Sequence, residues 1–379
     1  MMRQRPKRAS GCLWVALLSI ILIFIIGIAY TKITRSVSRQ FGDPDYRLGM
    51  ISRLRHTFIL YQSGEILKRT HPFSTDVKIE IAMAEKVNSV CDNLQNQGLV
   101  RDSKVMCSYL VYTGFDRGLQ AGKFTISPAM TAIDIAQRIS NPRYKDVQFT
   151  IYPGWRMEEV ASAVNQAGLP IFESDIFLLF KLAPQDFADQ FAIPFGMSVE
   201  GYLCPGTYAI KPETMQHELL TTLTACHEQY LSDGDFIQGL ADHGINYFEA
   251  ITLASIIQRE TLEESEMPLI ASVFYNRLAQ NMMLQTDPTV QYALGFDEAA
   301  HSWWKTPLTL QDLEVDSPYN TYLMTGLPPG PISAPSRAAF EAVAFPAQSD
   351  YLYFRAKCDG SNTHDFSITY DEHLSKGCP

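Results

Sequence analysis

The chain has 379 residues, of which 46% are hydrophobic, 19% charged and 11% aromatic, with a formal net charge of −10. That length suits two or three domains, and the composition excludes wholesale disorder. The acidic balance repels phosphate backbones and argues against a nucleic-acid binder. Seven cysteines without a C-x-x-C pair exclude a disulfide scaffold and a thioredoxin-type or zinc-ribbon site.

The first element is an uncharged apolar run, Leu13 to Tyr30. Eighteen helical residues span about 27 Å, close to the hydrocarbon thickness of a bilayer. The run exceeds a signal-peptide core, and Ala29-Tyr30-Thr31 is a poor cleavage site, so a single-pass transmembrane helix is expected over 13–30. Residues 1–12 then form a cytoplasmic tail. Basic residues flank the run on both sides (Arg3, Arg5, Lys7 and Arg8; Lys32, Arg35, Arg39 and Arg47), so charge alone leaves the orientation open. With the body outside, Cys91, Cys107, Cys204, Cys226, Cys358 and Cys378 lie in a disulfide-permissive space; Cys358 and Cys378 are the first pair to test.

Residues 31–75 read as a juxtamembrane stalk, with a helix whose apolar stripe is Ile51, Leu54, Phe58 and Tyr61. Beyond it the chain repeats itself. Val77–Ile81 aligns with Val147–Ile151 at an offset of 70, which holds through Gly98/Gly168 and Leu99/Leu169; Gly122–Pro128 aligns with Gly206–Pro212 at an offset of 84. Each copy reads as strand, helix ending at a glycine, further helix and strand, a small βααβ unit. The first copy, 76–145, resembles a LysM-like module, a class that binds N-acetylated sugars; a purely structural repeat is the alternative.

From Tyr247 the pattern changes. Tyr247, Ala250, Ile251, Ala254 and Ile257 recur at helical spacing, and Glu260 projects from the end of that apolar side. A carboxyl held against apolar neighbours resists ionisation, and so can keep a proton near neutral pH and act as a general acid. Glu263, Glu264 and Glu266 read as the solvated acidic start of the next helix. That helix, Ile270 to Met283, leads into Leu284-Gln-Thr-Asp-Pro-Thr-Val-Gln-Tyr292, whose polar groups suit hydroxylated, amidated sugars; later come Tyr319-Asn-Thr-Tyr322 and the stiff loop Gly326–Ser333. Glu260 is the expected catalytic residue, and Gln285, Thr286, Asp287, Asn320 and Tyr322 are expected to line a substrate groove. Leu231 replaces the second His of a zincin motif begun by His227-Glu228, and Gly196-Met-Ser198-Val-Glu200 lacks the closing Gly of a nucleophile elbow. No metal and no cofactor are expected.

On these residues the chain resembles the YceG-like family of endolytic murein transglycosylases. The resemblance rests on Leu253-Ala-Ser-Ile-Ile-Gln-Arg-Glu-Thr261, Ala271–Leu278, Leu284–Val290, Tyr319–Tyr322, Thr325–Gly330 and Tyr351–Phe354, and covers roughly 75–375. Glu200-Gly-Tyr-Leu-Cys-Pro-Gly-Thr-Tyr208 is also similar, with Gly206 where Asp is usual. It implies a single-pass protein of the inner (cytoplasmic) membrane with an extracytoplasmic body. Its substrate would be peptidoglycan glycan strands, with cell-wall synthases as partners and no nucleic acid. It also implies Glu260 as the one carboxyl that protonates the MurNAc–GlcNAc oxygen and then accepts the proton of the MurNAc C6 hydroxyl, leaving a 1,6-anhydro end. The alternatives are a hydrolytic muramidase, with Asp287 as base, and a non-catalytic glycan-binding scaffold. The expected fold is α+β: the transmembrane helix, the duplicated strand–helix units, then a mixed α/β catalytic region. The catalytic domain spans 146–379, with the second copy in 146–225 and a core over 245–375.

Overall fold

The computed structural model describes residues 10–70 and 75–377. Most of the expected cytoplasmic tail lies outside the described residues, as does Cys378 of the proposed Cys358 pairing. The chain divides into two compact units, Met1–Asp146 and Val147–Pro379, each with its own apolar core.

The first unit contains α1 (Ser10–Phe41), α2 (Met50–Ser63), β1 (Val77–Ile81), α3 (Val87–Asn96), α4 (Ser103–Thr113), β2 (Gly122–Ile126) and α5 (Ala132–Ser140). Helix α1 runs unbroken for 32 residues. Several of its side chains between residues 11 and 23 are not described, and among the described residues no helix is long and apolar enough to cross a membrane. The C-terminal end of α1 does enter the core, through Val37 and Phe41. Helix α2 overturns the expected stripe. Ile51, Leu54, Phe58 and Tyr61 are exposed, whereas Thr57 and Leu60 are buried. The opposite side of the helix packs inward, so residues 50–68 are part of a folded unit rather than a bare stalk.

The second unit begins with β3 (Val147–Ile151), α6 (Met157–Gln166), α7 (Glu173–Lys181), α8 (Gln185–Phe191), β4 (Gly206–Ile210) and α9 (Gln216–Thr224). The duplication is visible residue by residue. β1 and β3, and α3 and α6, start and end 70 residues apart; β2 and β4, and α5 and α9, do so at 84. Both strand pairs are antiparallel with one register, Val77↔Ile126 and Ile81↔Gly122 in the first, Val147↔Ile210 and Ile151↔Gly206 in the second. Gly98 and Gly168, just past the first helix of each copy, both take positive φ (+74° and +91°), a backbone region that L side chains avoid. The extra residues of the second copy fall between α7 and β4, where they form α8 and the turn through Glu200.

The rest comprises α10 (Cys226–Ser232), α11 (Gly234–Asp242), α12 (Tyr247–Glu260), α13 (Met267–Ala279), α14 (Asp287–Leu294), α15 (Arg337–Ala344), β5 (Tyr353–Ala356), β6 (His364–Ser367) and α16 (Tyr370–Ser375). Helix α12 is the centre of this unit. Every residue from Ala250 to Gln258 is buried, so it has no watery side along that stretch. Its start is fixed by a capping box: Asn246 accepts from the Glu249 amide at 2.9 Å, and Glu249 accepts from the Asn246 amide at 2.9 Å. Its buried polar side chains are used by the loop before α15: Ser255 Oγ accepts from the Ile332 amide and Gln258 Oε1 from the Ser336 amide, at 3.0 and 2.8 Å.

Two disulfides join pairs of described residues, Cys91–Cys107 between α3 and α4 and Cys204–Cys226 ahead of β4 and at the start of α10, and Cys358 is disulfide-bonded as well. The Cys204 and Cys226 sulfurs lie near His227, but they are bonded to each other and offer no thiolate to a metal.

Asn246→Ala should lower the unfolding free energy of the chain by about 1 kcal/mol, read as a lower urea midpoint with an unchanged slope.

Candidate active site

Glu260 is the last residue of α12, followed by Thr261 in extended backbone. Negative charge is disfavoured at a helix C-terminus. The side chain is partly exposed and makes no hydrogen bond to another described residue. Burial among its neighbours is the main cause that pushes its pKa up to about 8; the Asp287 carboxylate adds to the rise, and Arg277 and Arg259 oppose it. Burial and Asp287 thus favour the neutral acid on a residue that keeps some contact with solvent.

The two arginines are held away from a direct ion pair. Arg277 on α13 donates from Nε to the Leu352 carbonyl at 2.6 Å and from Nη1 to the Leu284 carbonyl at 2.8 Å, so its charge is shared with backbone dipoles. Arg259 lies with its guanidinium 3.8 Å from the centre of the Trp304 ring. Below it passes the β3–α6 loop, where Gly154, at φ +82°, brings its backbone so close that a Cβ would sit 3.0 Å from Arg259 Nη1.

The expected groove residues divide by burial. Gln285 and Asp287 are exposed and Tyr322 is partly exposed; the Tyr322 hydroxyl donates to Asp287 at 2.7 Å. Thr286 and Asn320 are buried, and their polar atoms are already used. Thr286 donates its amide to Thr321 Oγ1 at 3.0 Å, within a buried cluster in which Thr289 and Thr321 share a hydroxyl bond at 2.8 Å. Asn320 Nδ2 donates to the Leu313 and Val315 carbonyls, both at 2.9 Å, and its Oδ1 accepts from the Tyr322 amide. Thr286 ties the 285–289 segment to the 320–322 segment from behind, whereas Asn320 holds the latter to the 313–315 stretch, and both have their polar atoms turned inward. Glu266 also departs from its expected solvated place: it accepts from the His364 amide and faces His364 Nδ1, both at 2.9 Å, locking α13 to β6.

A second buried acid had no sequence signal beyond its motif. Glu200 is 1% exposed; its carboxyl accepts from the Met157 amide at the start of α6 and from the Gly201 amide, at 3.2 and 3.3 Å. Burial, then the nearby Glu158, raise its pKa to about 8. Beside it Arg156 is sandwiched between the Tyr292 and Trp303 rings, at 4.1 and 4.5 Å. Glu200 therefore anchors the β3–α6 loop, and Arg156 ties that loop to α14, which begins at Asp287.

Paired small sheets and a buried helix ending in a sheltered acid define an α+β protein. The chain belongs to the YceG-like family, whose model matches residues 79–377. It is 32% identical over 314 residues to the endolytic murein transglycosylase of Bacillus subtilis (strain 168), spanning 79% of this chain and 83% of that one. With the endolytic murein transglycosylase of Streptococcus pneumoniae serotype 2 it shares 28% identity over 328 residues, 79% of this chain but 58% of the pneumococcal protein. The crystal structure of a YceG-like protein from Listeria monocytogenes matches with a TM-score of 0.54 at 30% identity, covering 79% of this chain and 98% of that one.

Glu200 titrates near pH 8 in the fold against 4.5 ordinarily, so its contribution to stability is whole below about pH 4.5 and lost as pH rises through 8. Glu200→Gln should therefore melt progressively higher relative to the parent between pH 5 and 9, in paired thermal scans; a pH-independent difference would refute the buried neutral acid.

Proposed function

We propose that this chain is a membrane-anchored lytic transglycosylase that cuts peptidoglycan glycan strands internally, with Glu260 as general acid and then general base. The observation that carries this reading is Glu260 at the end of α12, sheltered enough to hold a proton near neutral pH yet partly exposed. In the first half of the reaction its proton passes to the oxygen between MurNAc and GlcNAc as that C–O bond breaks. The carboxylate so formed takes the proton of the MurNAc C6 hydroxyl, whose oxygen bonds to C1 and closes a 1,6-anhydro ring. No water is consumed, and the acid returns to its starting form. One carboxyl suffices because the nucleophile is part of the substrate, whereas hydrolytic glycosidases ordinarily need two.

Gln285, Asp287 and Tyr322 are the groove-facing groups in this reading, and Thr286 and Asn320 position them. The Asp287 charge helps keep Glu260 protonated. Relatives named endolytic murein transglycosylases support the reaction class.

Two features support an anchor in the cytoplasmic membrane with the body outside. The described large apolar side chains between Trp14 and Tyr30 are exposed, with no protein cover, on an 18-residue uncharged run that a bilayer would cover. The disulfides in both units fit an oxidising compartment.

Digestion of purified glycan strands by the detergent-solubilised full chain should yield 1,6-anhydroMurNAc ends by mass analysis, with Glu260→Gln at least about a hundredfold slower. Reducing ends in their place would mean attack by water, with Asp287 as the base. Because an acid works only while protonated, kcat/KM should fall as pH rises through about 8. Asp287→Asn removes a charge that raises the Glu260 pKa, and should move that alkaline limb to lower pH; an unmoved limb would show that the two carboxyls are not coupled.

A further inference from the structure

The two copies differ at one place that bears on substrate. In the first, Cys91 on α3 and Cys107 on α4 are joined, with their Cα atoms 5.8 Å apart. Seventy residues on, the same positions are Ala161 on α6 and Phe177 on α7, and there a cleft of about 420 Å³ opens between the helices. Its size is that of a small-ligand site, about 300–1,000 Å³. Ala161 and Phe177 form part of its wall, Glu158, Ser162, Glu173 and Ser174 supply polar groups, and Trp303 closes it from the loop after α14.

The lining has a definite chemistry. Two aromatic rings in its wall can meet the C–H surface of a pyranose, while the Ser162, Ser174 and Glu173 oxygens can pair with sugar hydroxyls. No Lys or Arg lines the cleft; Glu158 there is paired with Arg156 at 3.2 Å, which leaves the exposed Glu173 as the charge that an anionic ligand would meet. Trp303 is held in place by Arg156, at 4.5 Å, and by the edge of Phe296, with ring centres 5.0 Å apart. Its chain neighbour Trp304 lies under Arg259, the residue before Glu260. Adjacent tryptophans thus join the cleft to the end of the catalytic helix.

We propose that the α6–α7 cleft is a saccharide subsite that takes a neutral N-acetylhexosamine unit of the glycan, with Trp303 and Phe177 as its stacking surfaces. It rests on the reading of Glu260 as the cutting acid, and places a grip on the strand in the second copy, at the helix pair that the first copy closes with a disulfide.

Full-length Glu260→Gln protein, titrated with the N-acetylglucosamine tetramer, should show saturable binding by isothermal calorimetry, a readout that does not depend on Trp303. Trp303→Ala should weaken that binding about fivefold, and Trp303→Phe should restore most of it. Ser174→Arg, at an exposed rim position, should block the cleft without disturbing the fold. With Glu260 intact, the same variants should raise KM for glycan strands and spare kcat. Unchanged tetramer affinity in both Trp303→Ala and Ser174→Arg would overturn the proposal, as would absence of tetramer binding by the folded parent. The tetramer is scored by binding alone, so these outcomes are separate from those of the Glu260 reading, which fails if Glu260→Gln still cuts.

Discussion

Everything in the second unit depends on burying α12 on all sides and ending it in a carboxyl. A helix with no watery face must have its polar side chains bonded within the protein, and Ser255 and Gln258 meet that need through the 332–336 loop. The loop in turn clamps the β3–α6 connection, where the Gly154 amide donates to the Ala334 carbonyl at 2.8 Å and the Ala334 amide to the Trp155 carbonyl at 2.7 Å. The acid at the helix end inherits this rigidity. Burial opposes its charge, and the Asp287 carboxylate pushes the same way. The arginines that would undo the effect are engaged elsewhere, one by carbonyls and one by an indole ring.

The duplicated scaffold explains how one small unit serves two ends. Strand register and helix limits coincide between the copies, so the backbone plan is shared and the differences lie in side chains and in one connection. That longer connection holds Glu200, which fastens the start of α6 and, through the neighbouring Arg156, the helix that carries Asp287. In the first copy the corresponding link is short, and a covalent bridge joins its helices.

Much of this was legible in the sequence because it rests on local rules. The repeat offsets followed from paired strands and from glycines whose positive φ the chain requires. Glu260 was legible because it falls in step with an apolar stripe. The failures share a cause: polarity along a chain does not tell which way a side chain turns. Thr286 and Asn320 look like sugar-binding groups, yet they are turned inward to satisfy carbonyls and hydroxyls that burial would leave unpaired. Glu266 looks solvated beside other acids, yet a histidine nearly a hundred residues away claims it. In α2 the more apolar stripe lost to the side that carries Leu60, because the neighbours of that helix, not its own sequence, decided which face was covered. Trp303 and Phe177 come to line one cleft only through folding, so no spacing rule joins them.

The lock between Glu266 and His364, together with the Arg277 bond to Leu352, has a temporal consequence. A polypeptide leaves the ribosome amino end first, and α13 acquires these partners only when the closing hairpin near the carboxyl end has been made. Until then the helix opposite Glu260 lacks its supports. A nascent or truncated chain therefore carries Glu260 but not the hairpin contacts that hold α13.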